Sequence, residues 1–253
     1  MSSILEVSQL KVAFGGVQAL DLESFSIQKN ELRVIIGPNG AGKSTFMDIL
    51  CGKTQADSGE ALFRGESILG LKEVDIAEMG IGRKFQKPSV FTSLTVYDNM
   101  LLACRMPKGI WHSLFFKINS EIEDKIHEVA KKVGLESEMT HLAGSLSHGQ
   151  KQWLEIAIVV LQDAKLMLID EPAAGMSDKE TYRTGELILN LMQHHSIIVI
   201  EHDMHFVEQI AVDKVSVLVR GKLLTEGSFN DVRNDKGVIE SYLGTGAALQ
   251  LTE

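Results

Sequence analysis

The chain has little of what marks secreted, membrane-spanning or nucleic-acid-binding proteins. Of its 253 residues only two are cysteines, Cys51 and Cys104, each inside an apolar pattern. They make no disulfide framework, so a reducing cytoplasm is the expected compartment. No apolar run approaches the ~20 residues needed to cross a bilayer. The opening Met1-Ser2-Ser3-Ile4-Leu5-Glu6 has no basic segment ahead of an apolar one, so no secretory leader is expected. Positive charge is also in deficit, with 25 Lys and Arg against 34 Asp and Glu and a net charge of −9. A nucleic-acid-binding surface calls for the opposite balance. Internal repeats, low-complexity tracts and sustained heptads are absent. With 44% hydrophobic and 23% charged residues, the composition is that of a globular protein with a sizeable core.

Against this plain background one segment stands out. Gly37-Pro38-Asn39-Gly40-Ala41-Gly42-Lys43-Ser44 fits G-x-x-x-x-G-K-[ST], the phosphate-binding loop. Glycines let the backbone curl so that its N–H groups form an anion nest. Lys43 brings a charge to the β/γ-phosphates, the Ser44 hydroxyl can ligate Mg²⁺, and the helix beginning near Lys43 adds its positive end. The flanks agree: Leu32–Ile36 reads as a buried strand and Ser44–Leu50 as a helix.

Segments 4–12 and 22–27 alternate at period two and read as strands. A further strand is expected over 61–68 and a short helix over 72–79. From about Lys87 to Leu161 the pattern is mostly helical. Ile118, Ile122, Ile126, Val129, Ala130 and Val133 follow helical spacing, and Gly134 stands where a C-cap belongs. Strand and helix patterns then alternate: 166–169, 178–194, 196–200, 203–210 and 215–219. A hairpin across Arg220-Gly221-Lys222 and a helix near 236–243 close the chain. The order predicts an α/β fold with a parallel core over about 4–86 and 162–244, interrupted by a helical block over about 87–161.

The strand Leu166-Met167-Leu168-Ile169 ends in Asp170-Glu171. At a strand end Asp170 can hold Mg²⁺ and Glu171 can act as general base toward a water. Paired with the phosphate loop, this indicates nucleoside-triphosphate hydrolysis.

Leu146-Ser147-His148-Gly149-Gln150, lying between the two motifs, resembles the Leu-Ser-Gly-Gly-Gln signature of ABC transporter ATPases, and the resemblance covers roughly Ile4 to Gly244. It implies an α/β P-loop ABC ATPase core with an antiparallel β subdomain and an inserted helical subdomain. It also implies ATP and Mg²⁺, with nucleotide held by residues 37–44 and Thr45. Phe14 matches the ring that stacks on adenine, its alternative being a core Phe. Gln86 matches the glutamine that touches Mg²⁺ and senses the γ-phosphate. His202 matches the histidine that positions the attacking water. Ser147, Gly149 and Gln150 would complete the ATP site of a partner subunit. His194-His195 reads as a solvated helix end.

Two departures from the pattern are visible. His148 stands where the family has Gly, so its ring either points away or joins the phosphate contact. Ser177 stands where the loop after Glu171 usually has Asp, with Asp178 following.

Phe14-Gly15-Gly16, Pro172–Met176, Ile200–Met204 and Ser241–Gly244 resemble ATPases of branched-chain amino acid and urea or short-amide uptake systems. Residues 146–155 with 175–181 most resemble the urea branch. The implied partners are membrane permease subunits, a second identical or different ATPase subunit and, indirectly, a solute-binding protein. Permease subunits would hold the chain on the inner face of the cell membrane. Lys87, Pro88 and Phe91 form the expected docking region. Gly109–Ile118 is either a second docking surface or helical-subdomain core. A soluble ABC ATPase acting on DNA or ribosomes is disfavoured by the single cassette and acidic charge, and a small-molecule kinase by the signature.

Overall fold

β1 (Ser3–Phe14) and β2 (Val17–Gln28) form a long antiparallel hairpin. Leu5, Val7, Leu10 and Val12 from one strand and Leu20, Leu22, Phe25 and Ile27 from the other are buried. Gly15 and Gly16, at φ +56° and +84°, supply the two left-handed positions of a two-residue turn. This computed structural model describes residues 3–84, 90–104 and 120–243. Gln86, Lys87, Pro88 and the segment 109–118 lie outside the described residues.

β4 (Ser58–Phe63) pairs with the other edge of β1 and carries β5 (Glu66–Ser67), giving the sheet order β2-β1-β4-β5. One strand was expected over 61–68. Instead Arg64 and Gly65 take φ of +53° and +84° and fold the segment into a hairpin.

The second sheet has β3 (Leu32–Ile36) at its centre, between β9 (Lys214–Val219) and β8 (Ser196–Ile200). β7 (Leu166–Asp170) and β6 (Ile81–Lys84) extend it beyond β8, and β10 (Lys222–Gly227) closes the other edge. All pairings are parallel except β9 with β10. Both faces of the centre are covered: Val34 and Ile36 pack into one apolar cluster and Ile35 into the other. This explains why β3, β7 and β8 read as continuous apolar runs.

α1 (Lys43–Leu50), α2 (Glu73–Met79), α6 (Asp178–Leu191), α7 (Met204–Ile210), α8 (Phe229–Arg233) and α9 (Lys236–Leu243) accompany the sheets. α3 (Val96–Ala103), α4 (Ser120–Val133) and α5 (His148–Leu161) form the helical block between β6 and β7. Ile126, Val129, Ala130 and Val133 are the buried stripe of α4, and Gly134 ends it at φ +71°. α5 is locked to α6. The Trp153 indole N–H donates to Thr184 Oγ1 at 2.9 Å, and the Arg183 guanidinium lies 4.5 Å over the Trp153 ring.

α6 stops at Leu191 rather than 194, and His195 is not a solvated helix end. Its Nδ1 lies 2.7 Å from the Ala164 carbonyl, and burial pushes its pKa down. Cys51 and Cys104 are both buried free thiols. Among the described residues no helix is long and apolar enough to cross a membrane.

Candidate functional site

Residues 37–42 turn the chain from β3 into α1. Gly37, Gly40 and Gly42 have φ of +152°, +77° and +97°. A Cβ on Gly37 would overlap the Leu218 carbonyl, and one on Gly42 would stand 2.5 Å from the Ala19 carbonyl oxygen. Both positions therefore exclude side chains sterically as well as conformationally. The Gly221 N–H donates to Ala41 O at 2.9 Å, and the Ala41 N–H to Pro38 O at 3.1 Å. Asn39, Gly40 and Ser44 are exposed and Thr45 is half-buried.

The start of α1 has no side-chain cap and no acidic residue in its first turn. Its orphan N–H groups and positive dipole end are left for an anion. Lys43 Nζ folds over the loop, donating to Gly37 O at 2.6 Å and Pro38 O at 3.0 Å. Burial lowers the Lys43 pKa, while the charges of Glu171 and Asp170 oppose that shift. This cradle fits a phosphate chain.

Strand register assembles the rest. Ile200 of β8 lies level with Ile35 of β3 and with Asp170 of β7, so the residues following each strand emerge at one edge. Ligands of open parallel sheets bind at that carboxyl edge. Asp170 is buried, and desolvation raises its pKa against the pull of Arg83, whose Nη2 is 3.5 Å away. Arg83 also pairs with Asp48 of α1.

Glu171 adopts φ +45°, a left-handed conformation that costs a non-glycine residue roughly 1–2 kcal/mol. The backbone is pinned there because its N–H donates to Ile200 O at 3.0 Å. His202 Nδ1 lies 3.5 Å from Glu171 Oε1. Beneath them Glu201 is 1% exposed and accepts the N–H groups of His202 at 3.0 Å and Ala173 at 3.2 Å. It thereby joins the loops that follow β7 and β8. Lys43, Asp170, Glu171 and His202 thus meet around one site.

The signature occupies the start of α5. Ser147 Oγ caps the helix by accepting from the Gln150 N–H at 3.1 Å, and Gln150 Oε1 accepts the Ser147 N–H at 2.9 Å. Ser147 Oγ also donates to Glu180 Oε1 at 3.3 Å. A Cβ on Gly149 would come within 2.6 Å of that same oxygen, so a larger residue there would have to displace the Glu180 carboxylate. His148 Nε2 lies 3.0 Å from the Ala174 carbonyl of its own chain. Ser177 Oγ donates to Glu180 Oε2 at 2.8 Å, which gives this departure a role as the cap of α6.

Residues 20–174 match the family model for ABC transporter. The chain belongs to the ABC transporter family. It is 35% identical over 250 residues to the high-affinity branched-chain amino acid transport ATP-binding protein LivG of Salmonella typhimurium, covering 95% of this chain and 98% of the relative. The high-affinity branched-chain amino acid transport ATP-binding protein BraF of Pseudomonas aeruginosa is 34% identical over 250 residues, with the same coverage. Among solved structures, an ATP-binding cassette of an ABC transporter in its ADP conformation superposes with a TM-score of 0.85 at 29% identity, covering 96% of this chain and 100% of that one. A cassette from the cbiONQ transporter complex of Clostridium perfringens gives 0.80 at 27% identity, covering 98% and 99%. The α/β ABC ATPase fold and an ATPase activity are therefore those of this chain, with ATP as its nucleotide.

Several residues of this ABC ATPase escaped sequence reasoning. Lys84 is 2% exposed, donates to Asp170 O at 3.3 Å, and stands among Glu155, Asp170, Glu201 and Glu171. Desolvation lowers its pKa and those carboxylates oppose the shift. Tyr242 of α9 is buried near Gly37, and burial pushes its pKa up to about 12 although the Gly37 backbone pulls it down. A buried Lys in an edge strand and a tyrosine 205 positions from its neighbour leave no local signal; only non-local packing exposes them. Phe14, at 51% exposure, is not a core residue.

Proposed function

We propose that this chain is the ATP-hydrolysing subunit of an importer for branched-chain amino acids. The convergence of Lys43, Asp170, Glu171 and His202 at the carboxyl edge of one sheet carries the hydrolytic reading. The solute reading rests on the names of the relatives, which point to branched-chain amino acids and give no support to the urea expectation.

In this reading residues 37–45 hold the triphosphate and Lys43 neutralises its β/γ end. Glu171 takes a proton from the attacking water, and His202, aligned on Glu171, holds that water in line. The burial of Asp170 beside Ser44's helix suits Mg²⁺, with Ser44, Asp170 and Gln86 as its protein ligands. The ion supplies charge neutralisation at the phosphates. Ser147, Gly149 and Gln150 reach the ATP of a second ATPase subunit, so turnover requires a dimer. Permease subunits hold the pair at the inner membrane face.

A groove of about 260 Å³ supports the docking expectation around Phe91. Phe91 and Leu102, 61% and 58% exposed, rim it, and Lys84 and Glu155 lie at its base. Buried Asn99 clamps the rim by accepting the Phe91 N–H at 2.8 Å and donating to Phe91 O at 3.0 Å. A rigid apolar rim is what a permease segment needs.

Phe14→Ala is expected to weaken ATP binding by roughly 5–150-fold, since stacking a base on an aromatic ring is worth about 1–3 kcal/mol. Titration with a fluorescent nucleotide reads the change, and unchanged affinity assigns the ring another role. Uptake of labelled leucine and labelled urea by a deletion strain tests the solute. Loss of leucine uptake, restored by the wild-type gene but not by Lys43→Ala, is expected. Loss of urea uptake alone overturns the proposed solute and leaves the ATPase reading intact.

A further inference from the structure

The signature and the loop after Glu171 are joined within this chain, and the joint uses the residue that departs from the family pattern. A carbonyl oxygen only accepts, so the His148 Nε2 that faces Ala174 O at 3.0 Å carries a hydrogen. The ring lies against the loop: a Cβ on Gly175 would meet its Cδ2 and Nε2 at 3.5 Å, and Gly175 is itself left-handed at φ +72°. Behind the ring lies the buried Gln152 amide, with a nitrogen 3.3 Å from His148 Nε2 and an oxygen that has no other partner among the described residues. Turned to the ring, that oxygen shares the same Nε2–H with the Ala174 carbonyl in a three-centre bond.

Ala174 matters because of its other end. Its N–H donates to the carbonyl of Glu171 at 3.3 Å, closing the turn that keeps Glu171 at φ +45°. A continuous path therefore runs from the His148 imidazole through the Ala174 peptide to the strained backbone of Glu171. On its free flank the loop borders a cleft of about 580 Å³, lined by Ala174, Gly175, Glu201 and His202 but not by His148. The loop has room to move there; His148 holds the Ala174 carbonyl, while Glu201 holds the neighbouring Ala173 N–H. A further tie, from Ser147 through Glu180 to Ser177, anchors the far end of the loop, and His148 is the contact made from α5 to the Ala174 carbonyl.

We propose that His148 is a positioning residue for Glu171: engagement of this chain's signature with the partner's ATP shifts His148 and, through Ala174, sets the orientation of this chain's own hydrolytic carboxylate. This rests on the proposed roles of Glu171 and the signature. A glycine at position 148 offers no such donor, so this chain couples its two half-sites by a side chain as well as by packing.

The test uses the full-length chain assembled with its permeases and second ATPase, the latter carrying a glutamine in place of its own catalytic glutamate. Only Glu171 then hydrolyses ATP. In that complex His148→Ala is expected to lower kcat about tenfold with KM for ATP changed less than twofold. His148→Gln, whose amide N–H can reach the carbonyl, is expected to restore most of the rate. A phosphate-contacting His148 would act on the silenced site, so an unchanged kcat overturns the proposal. So does a rate lost equally in both variants, since a donor to Ala174 would then not be the feature that matters. Controls report on the underlying reading separately: full activity of Glu171→Gln in this complex, or of Ser147→Ala at the partner's site when the second ATPase is wild type and Glu171 is replaced by glutamine, overturns the assigned roles, whatever His148 does.

Discussion

Glu171→Gln is expected to reduce ATP turnover by about 10²–10⁴-fold, the contribution of a positioned general base, while ATP affinity stays within a few-fold. The reasoning is geometric. Glutamine keeps the size and hydrogen-bonding reach of the side chain and can sit on the same backbone, held by the Ile200 and Ala174 contacts. It cannot accept a proton. The phosphate cradle lies on a different connection, after β3, and its contacts through Ala19, Leu218 and Gly221 are untouched. The variant should therefore bind ATP, fail to release the closed dimer, and accumulate as one. Single-turnover hydrolysis and ATP-dependent sizing of wild type and variant check both halves. Turnover within tenfold of wild type removes Glu171 from the role of base.

Arg33→Met is expected to destabilise the fold by about 3–5 kcal/mol, the cost of breaking a buried ion pair by removing one partner. Arg33 is 1% exposed in the strand that feeds the phosphate loop. Its guanidinium bonds Glu31 at 2.6 Å, Glu226 at 2.7 Å, Ser216 Oγ at 2.9 Å and the Ser26 carbonyl at 3.1 Å, and lies 5.2 Å from the Phe25 ring centroid. Apart from Glu31, in the turn before β3, those partners come from β2, β9 and β10, so one side chain ties the antiparallel sheet to the edge of the parallel one. Methionine keeps the stem and leaves Glu31, itself 8% exposed, without its counter-charge. Lysine cannot reproduce the fork, so Arg33→Lys should recover only part of the loss. Urea unfolding followed by circular dichroism measures the shift; a midpoint unchanged in Arg33→Met counts against this account of the sheet junction.

Arg33 also shows the limit of pattern reading. The run 32–36 is legible as a buried strand because four of its residues are aliphatic, yet nothing in it tells that the arginine is buried too. β6 was missed for the converse reason. Ile81-Gly82-Arg83-Lys84 holds a glycine and two charges and shows no strand pattern, so it receives no element from sequence. Gly82 is there because Val159 Cγ1 would lie 2.6 Å from a Cβ, and the two charges are buried among carboxylates from β7, α1 and α5. The 61–68 segment went the other way, since strand-forming residues flank a turn that only the left-handed Arg64-Gly65 pair reveals. The amphipathic helix over 120–133 and the runs that became β7 and β8 were read well, because their periodicity is set within the segment.

The residues of the candidate site divide along the same line. The sequence alone determined the phosphate loop, the Asp170-Glu171 strand end, the signature and their order, because each is a short segment whose chemistry depends on neighbours in the chain. Only the tertiary structure decided which way His148 faces, across 26 residues to Ala174. It also decided that Glu180 both caps α6 and crowds Gly149, and that Lys84 and Glu201 lie buried behind the carboxylates. Those outcomes follow from strand register and helix packing, which bring distant groups within 3 Å to 4 Å of each other. Contacts of that range lie in no sequence window, so the path from the signature to Glu171 emerges only when β7, α5 and α6 are packed together.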